Sequence, residues 1–251
     1  MLFNLKDVQG YRLQALDGTF GEIKYFLIDT FHWSVRYVVV QVGSRQVLLP
    51  IRSVAIVDAL SKALLVNLSS EKIMNSPEIP LDRPFLRARE QELFDYYEWP
   101  YYWDAADVPS TMPGDLTAVP LINMELEREA AEDEMIPQTG QQEDQHLYHS
   151  DVLFNATVHA TNNDQNAGLL SDLIVRDADW EVLYAAIETG TPLARRKVVL
   201  APTWIEQIDA ADGRVDVNLT SDTIEGSPEF KDVMDINEDY QARLNDYYRE
   251  K

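Results

Sequence analysis

From Tyr37 to Val42 the chain reads Tyr-Val-Val-Val-Gln-Val, placing Val38, Val40 and Val42 on one side and Tyr37, Val39 and Gln41 on the other. Alternation of this kind marks a strand with two distinct faces, the one carrying Gln41 being the wetter. Short runs rich in Val, Ile, Leu and Tyr also occupy 12–16, 22–28, 46–51, 54–57 and 63–68, parted by turn formers such as Asp17-Gly18. Six strands at this spacing predict a small barrel or a compact sandwich. A short Ser-capped helix is expected over 69–75, stopping before Pro77, and a longer one over 87–97, with Leu93 and Tyr97 four apart on one face.

The same pattern then recurs. Residues 45–98 align without a gap to 196–249, and Val66, Asn67, Leu68, Ser70, Ile73, Ser76, Pro77 and Glu78 reappear as Val217, Asn218, Leu219, Ser221, Ile224, Ser227, Pro228 and Glu229. Upstream, Gly21 answers to Gly168, Trp33 to Trp180, Tyr37 to Tyr184 and Gly43 to Gly190, and Asp7-Val8 is matched to Asp151-Val152. This alignment requires about three extra residues near Asn162 and four, Thr191 to Ala194, before Arg196, both expected in turns. In the second copy Ile187 takes the place of Val40 on the inner side and Glu188 that of Gln41 on the outer. Duplication of a whole unit sets the architecture: a repeat with a helical aromatic tail over 1–103, an acidic, proline-containing linker over 104–146, and a second repeat with a C-terminal helix over 147–251.

Charge narrows the partners. With 43 Asp and Glu against 21 Lys and Arg the net charge is -22. That disfavours nucleic acid and anionic membranes, and would steer a basic protein partner favourably. No apolar run reaches the length of a membrane span, Asp58 and Lys62 interrupting the best candidate. Met1-Leu2-Phe3-Asn4 carries no basic, apolar leader pattern, so a cytoplasmic location is expected. The chain contains no cysteine, which removes disulfides and thiolate chemistry.

Reactive constellations are sparse. His146-x-x-His149 has a helical metal-ligand spacing, but no third ligand accompanies it and a surface pair is the better reading. Asp29 reads as a turn carboxylate rather than a general base. The carboxylates from Glu125 to Glu134 lack the spacing of a calcium loop. We therefore expect no enzyme activity, no catalytic residue, no metal and no organic cofactor. The candidate partner surface is the aromatic segment Tyr96, Tyr97, Trp99, Tyr101, Tyr102 and Trp103. It either folds back on its own repeat or anchors a homodimer or a protein partner, since Tyr and Trp bury large areas at low entropic cost.

Several motifs resemble the PRC-barrel family. They are Gly18-x-x-Gly21-Glu22-Ile23, Leu27-Ile28-Asp29, Trp33-x-x-Arg36-Tyr37-Val38-Val39-Val40 and Val47-Leu48-Leu49-Pro50. Asp82-Arg83-Pro84 and the run from Glu92 to Trp103 look like the ending of stand-alone bacterial members. The second copy departs from this pattern, with Gln165-Asn166 at the turn and no aromatic run before Lys251. The resemblance implies a mainly β protein built from two tandem six-stranded PRC-type barrels, each followed by short helices and joined by the acidic linker. With the acidic charge and the aromatic segment, the expected function is a non-catalytic adaptor that presents an acidic, aromatic-rimmed surface to a protein partner or to itself. A component or assembly factor of photosynthetic electron transfer, by similarity to the reaction-centre H subunit, is the alternative, and the ribosome-maturation branch would need a further N-terminal domain.

Overall fold

The computed structural model describes residues 1–77, 87–99, 147–191 and 194–249. Tyr101, Tyr102, Trp103 and the linker 104–146 lie outside them.

The fold is mainly β. Copy one contributes β1 (Leu2–Asn4), the short helix α1 (Leu5–Val8), and then β2 (Arg12–Ala15), β3 (Gly18–Asp29), β4 (Ser34–Val42), β5 (Arg45–Pro50), β6 (Val54–Asp58) and β7 (Ala63–Val66). Helices α2 (Ser70–Met74) and α3 (Arg87–Tyr97) follow. Copy two contributes β8 (Leu147–His149), α4 (Ser150–Leu153), β9 (Thr157–Ala160), β10 (Gln165–Arg176), β11 (Val182–Thr191), β12 (Ala194–Leu200), β13 (Ile205–Asp209) and β14 (Arg214–Val217). It ends in α5 (Ser221–Glu225) and α6 (Glu238–Arg249). Each short helix after the last strand is capped as its sequence dictates, Ser69 Oγ accepting from Lys72 N and Thr220 Oγ1 from Thr223 N.

All six expected strands form in each copy, in the order β5-β4-β3-β2-β7-β6 and β12-β11-β10-β9-β14-β13. The parallel pairs β2–β7 and β9–β14 stand in otherwise antiparallel sheets. Each sheet has a seventh strand, and it comes from the other copy: β8 pairs with β3, and β1 with β10. The sheets are open at β5/β6 and at β12/β13, where no ladder closes the path among the described residues.

The reason for the seventh strand is geometric. β3 spans 12 residues, pairing along one edge with β4 from Glu22 to Asp29, while β2 covers the other edge only from Gly18 to Glu22. The stretch of backbone beyond would be a bare edge. Leu147, Tyr148 and His149 fill it opposite Asp29, Ile28 and Leu27. β10 repeats the arrangement, with Leu2, Phe3 and Asn4 opposite Arg176, Val175 and Ile174. Bulges at Lys24 and at the equivalent Ser171 bend these long strands so that they serve both partners.

Three sequence readings are corrected by this geometry. Leu2 is equivalent to Leu147 and the left-handed Gly10 (φ 81°) to Asn155 (φ 68°), so Asp7 matches Val152 rather than Asp151, and the β9–β10 turn is longer by two residues, not three. The four residues inserted before Arg196 do not sit in a turn alone: they lengthen the β11–β12 ladder through Gly190–Arg195 and Thr191–Ala194. The face assigned as wetter is dry over most of its length. Gln41 and Glu188 are half-buried, but Tyr37, Val39 and Ala186 are buried together with the inner Val40 and Ile187. In copy two the cover is α6 and the segment before it, because Phe230, Ile236, Tyr240 and Leu244 pack on Ile174, Ala186 and Val199.

Compactness groups Met1–Pro80 with His146–Lys251 and sets Leu81–Gln145 apart. The two copies thus share one unit. α3 belongs to the other, where it spans the expected residues and ends in a turn at Glu98 (φ 59°), Trp99 N donating to Phe94 O at 3.0 Å.

Candidate functional site

The most elaborated region of the molecule is the seam between the copies. Around the exchanged strands the turns β3–β4 and β10–β11 meet tip to tip: Val35 N donates to Trp180 O at 2.9 Å and Val182 N to Trp33 O at 2.7 Å, with Ser34 and Glu181 bridged between them. Both tryptophans hold left-handed backbones, φ 48° and 61°, a conformation bulky residues adopt only where the surroundings enforce it. Trp180 is buried against Phe3 (centroids 5.3 Å, edge-on) and Phe26 (6.1 Å).

Polar contacts complete the seam. Ser150 Oγ accepts from Phe26 N at 3.1 Å, Gln9 Nε2 reaches Asp151 at 2.7 Å, and the Lys6 ammonium lies 5.5 Å above the Phe154 ring. Asp172 Oδ1 accepts from Lys6 N at 3.0 Å and from Leu173 N at 2.8 Å. Burial, reinforced by the charge of Asp7 and opposed by those bonds, pushes its carboxyl up to about 6.

The turns are fastened by ion pairs of opposite polarity. Asp29 Oδ1 accepts from Phe31 N and His32 N at 3.0 Å, and its Oδ2 from Arg36 at 2.7 Å and from the His32 ring at 2.8 Å. Burial alone would raise this carboxyl, but the Arg36 charge and the hydrogen bonds outweigh it and hold it low. At the equivalent place in copy two stands Arg176, which grips Asp179 and Glu181. Asp29 is therefore occupied as a turn carboxylate.

The other sequence candidates are placed apart. His149 stacks on Tyr25 at 4.6 Å, and burial lowers its ring below the usual histidine value. His146, its partner in the metal-spaced pair, is outside the described residues. His159 lies between Asp216 (3.0 Å) and Asp164 (2.9 Å). Among the described residues no three His, Asp or Glu side chains are grouped as a metal site. In the aromatic segment Tyr97 is buried, Tyr96 and Trp99 are half-buried, and Trp99 stacks on Tyr97 (5.1 Å) and meets Phe94 edge-on (6.4 Å).

An open cleft at the base of α6 is lined by Glu229, Lys231, Asp235, Asn237, Tyr240 and Arg243. Several of its polar groups serve the local fold: Asp235 Oδ2 accepts from Lys231 N and Asp232 N, Asn237 from Tyr240 N, and Tyr240 donates to Pro228 O.

Sequence reasoning missed the seam altogether. The arms are three residues each, too short for a period to register, and each pairs with a strand more than about 115 residues away in the chain, Leu2 with Arg176 and Leu147 with Asp29. The paired Trp33/Trp180 match was the available signal. In comparisons with known proteins the chain matches no family model and no curated protein.

Proposed function

We propose that this chain is a non-catalytic interaction scaffold built from two PRC-type barrel units, presenting an acidic surface to a basic protein partner. The observation that carries this reading is the reciprocal exchange of β1 and β8, which locks two copies into one unit and devotes the polar side chains around the turns to architecture. Asp29, His32, His149 and His159 are engaged by neighbours of their own fold. The strand order shared by the two sheets and the tightly bulged long strands support small rolled units. A net charge of -22 favours steering of a cationic partner. The segment Tyr96, Tyr97, Trp99, Tyr101, Tyr102 and Trp103 supplies the anchoring aromatics of the proposal.

The test is a pull-down from native host lysate with the tagged full chain beside a Trp99→Ser, Tyr101→Ser, Tyr102→Ser, Trp103→Ser variant, read by mass spectrometry. The reading expects a stoichiometric basic partner that is lost at raised salt and with the variant. Equal capture by both baits, or none by either, contradicts it. Pigment-protein components in the captured set would direct the scaffold to photosynthetic electron transfer.

A further inference from the structure

The seam has the form of an interface between two separate subunits. Each arm leaves its own copy and enters a slot on the other: Leu2–Asn4 on β10 at Ile174 to Arg176, Leu147–His149 on β3 at Leu27 to Asp29. The contacts come in reciprocal pairs, as in an isologous dimer. Two ladders, two crossed backbone bonds from Val35 and Val182, and two arm helices, one burying Leu5 and Val8 and the other Ser150 and Leu153, come in matched pairs. Side chains differ while the plan holds: Phe3 meets Trp180, whereas His149 stacks on Tyr25. All of these contacts are made between residues 2–35 and 147–182.

We propose that the seam is a self-sufficient docking interface whose occupant is the other repeat, so that the two repeats recognise each other through their arms and slots without a covalent connection. Main-chain pairing at a sheet edge supplies the affinity, and the buried Leu5, Leu153 and Trp180, with the half-buried Phe3 edge-on against Trp180, select the partner. The covalent link between the repeats then acts by raising the local concentration of one for the other.

The experiment uses the full chain with a specific protease site, flanked by glycine-serine spacers, inserted between Gly140 and Gln141. Complete cleavage is verified on a denaturing gel. The expected result is that the two fragments co-elute at the mass of the intact chain at micromolar concentration and separate only in denaturant. A Phe3→Ala variant, intact and folded before cleavage, should part at concentrations at least tenfold higher than the parent once cut. Fragments that separate under native conditions, a cut chain that loses its fold, or a Phe3→Ala variant that holds as tightly as the parent would each overturn the proposal.

Discussion

Position 29 and position 176 are the same place in the two copies, yet one is Asp and the other Arg. What was kept is the clasp across the turn, not the sign of the charge. Asp29 is the more enclosed of the two, its side chain 11% exposed, so its ionised form should matter to stability. Asp29→Asn keeps an acceptor for the backbone amides but loses the charge that Arg36 faces, and should cost about 1–2 kcal/mol at pH 7. Because the folded carboxyl is held below its ordinary value near 3.8, that stability is complete above this value and lost as pH falls through the folded one. Denaturant titrations of parent and variant should therefore converge progressively as pH falls below 3.8. A gap between them that does not shrink as the pH is lowered through that range would refute the assignment.

Glycine separates space from conformation in the same region. A Cβ on Gly168 would stand 2.3 Å from Glu188 O at φ 131°, whereas one on Gly18 meets nothing within 4 Å. Gly168→Ala should lower stability by about 3 kcal/mol or more, and Gly18→Ala by less than about 1. Chemical denaturation checks both. Gly21/Gly168 was legible in the sequence as a repeated pair; that the backbone of the next strand passes against it was not, because that neighbour is fixed by the bulged register of β10 on β11.

At the scale of elements the strands were legible because each is a run of four or more apolar-rich residues, and the helix over 87–97 because Leu93 and Tyr97 stand four apart on one face. Tertiary cover erased the expected wet face: alternation at Tyr184, Ala186 and Glu188 describes half of the truth once α6 lies on it. The arms were illegible since three residues carry no period, and exchange is invisible to a reading along the chain. Their chemistry offers a handle. Asp172 bonds the backbone of α1, and its carboxyl is pushed up to about 6 by burial. A carboxyl raised on folding favours the folded state when protonated, so stability declines as pH rises from about 4 through 6. Asp172→Asn removes the ionisation and retains the acceptor. It should raise the melting temperature at pH 7.5 by about 2–3 °C, near 1 kcal/mol after allowing for the partial solvent exposure of the group, and leave it unchanged at pH 4. A variant less stable than the parent at pH 7.5 would contradict this account of the seam.

For the whole molecule, duplication and exchange explain why one compact unit draws on both ends of the sequence. The proposed scaffold rests on this interlocking more than on any single residue, and its central claim is that the turns at Trp33 and Trp180 face each other across a two-fold seam. Ser34 and Glu181 are the non-hydrogen-bonded pair of that bridge, since the amides and carbonyls of the flanking Val35, Trp180, Val182 and Trp33 make the crossed bonds. Side chains at such pairs approach most closely and suit a disulfide. The native chain has no cysteine, so a Ser34→Cys, Glu181→Cys variant carries the only two thiols. Mild oxidation followed by peptide mass mapping should give the 34–181 disulfide within a monomeric chain in nearly full yield. Free thiols after oxidation, or disulfides formed only between chains, would contradict the seam and the interlocked unit with it.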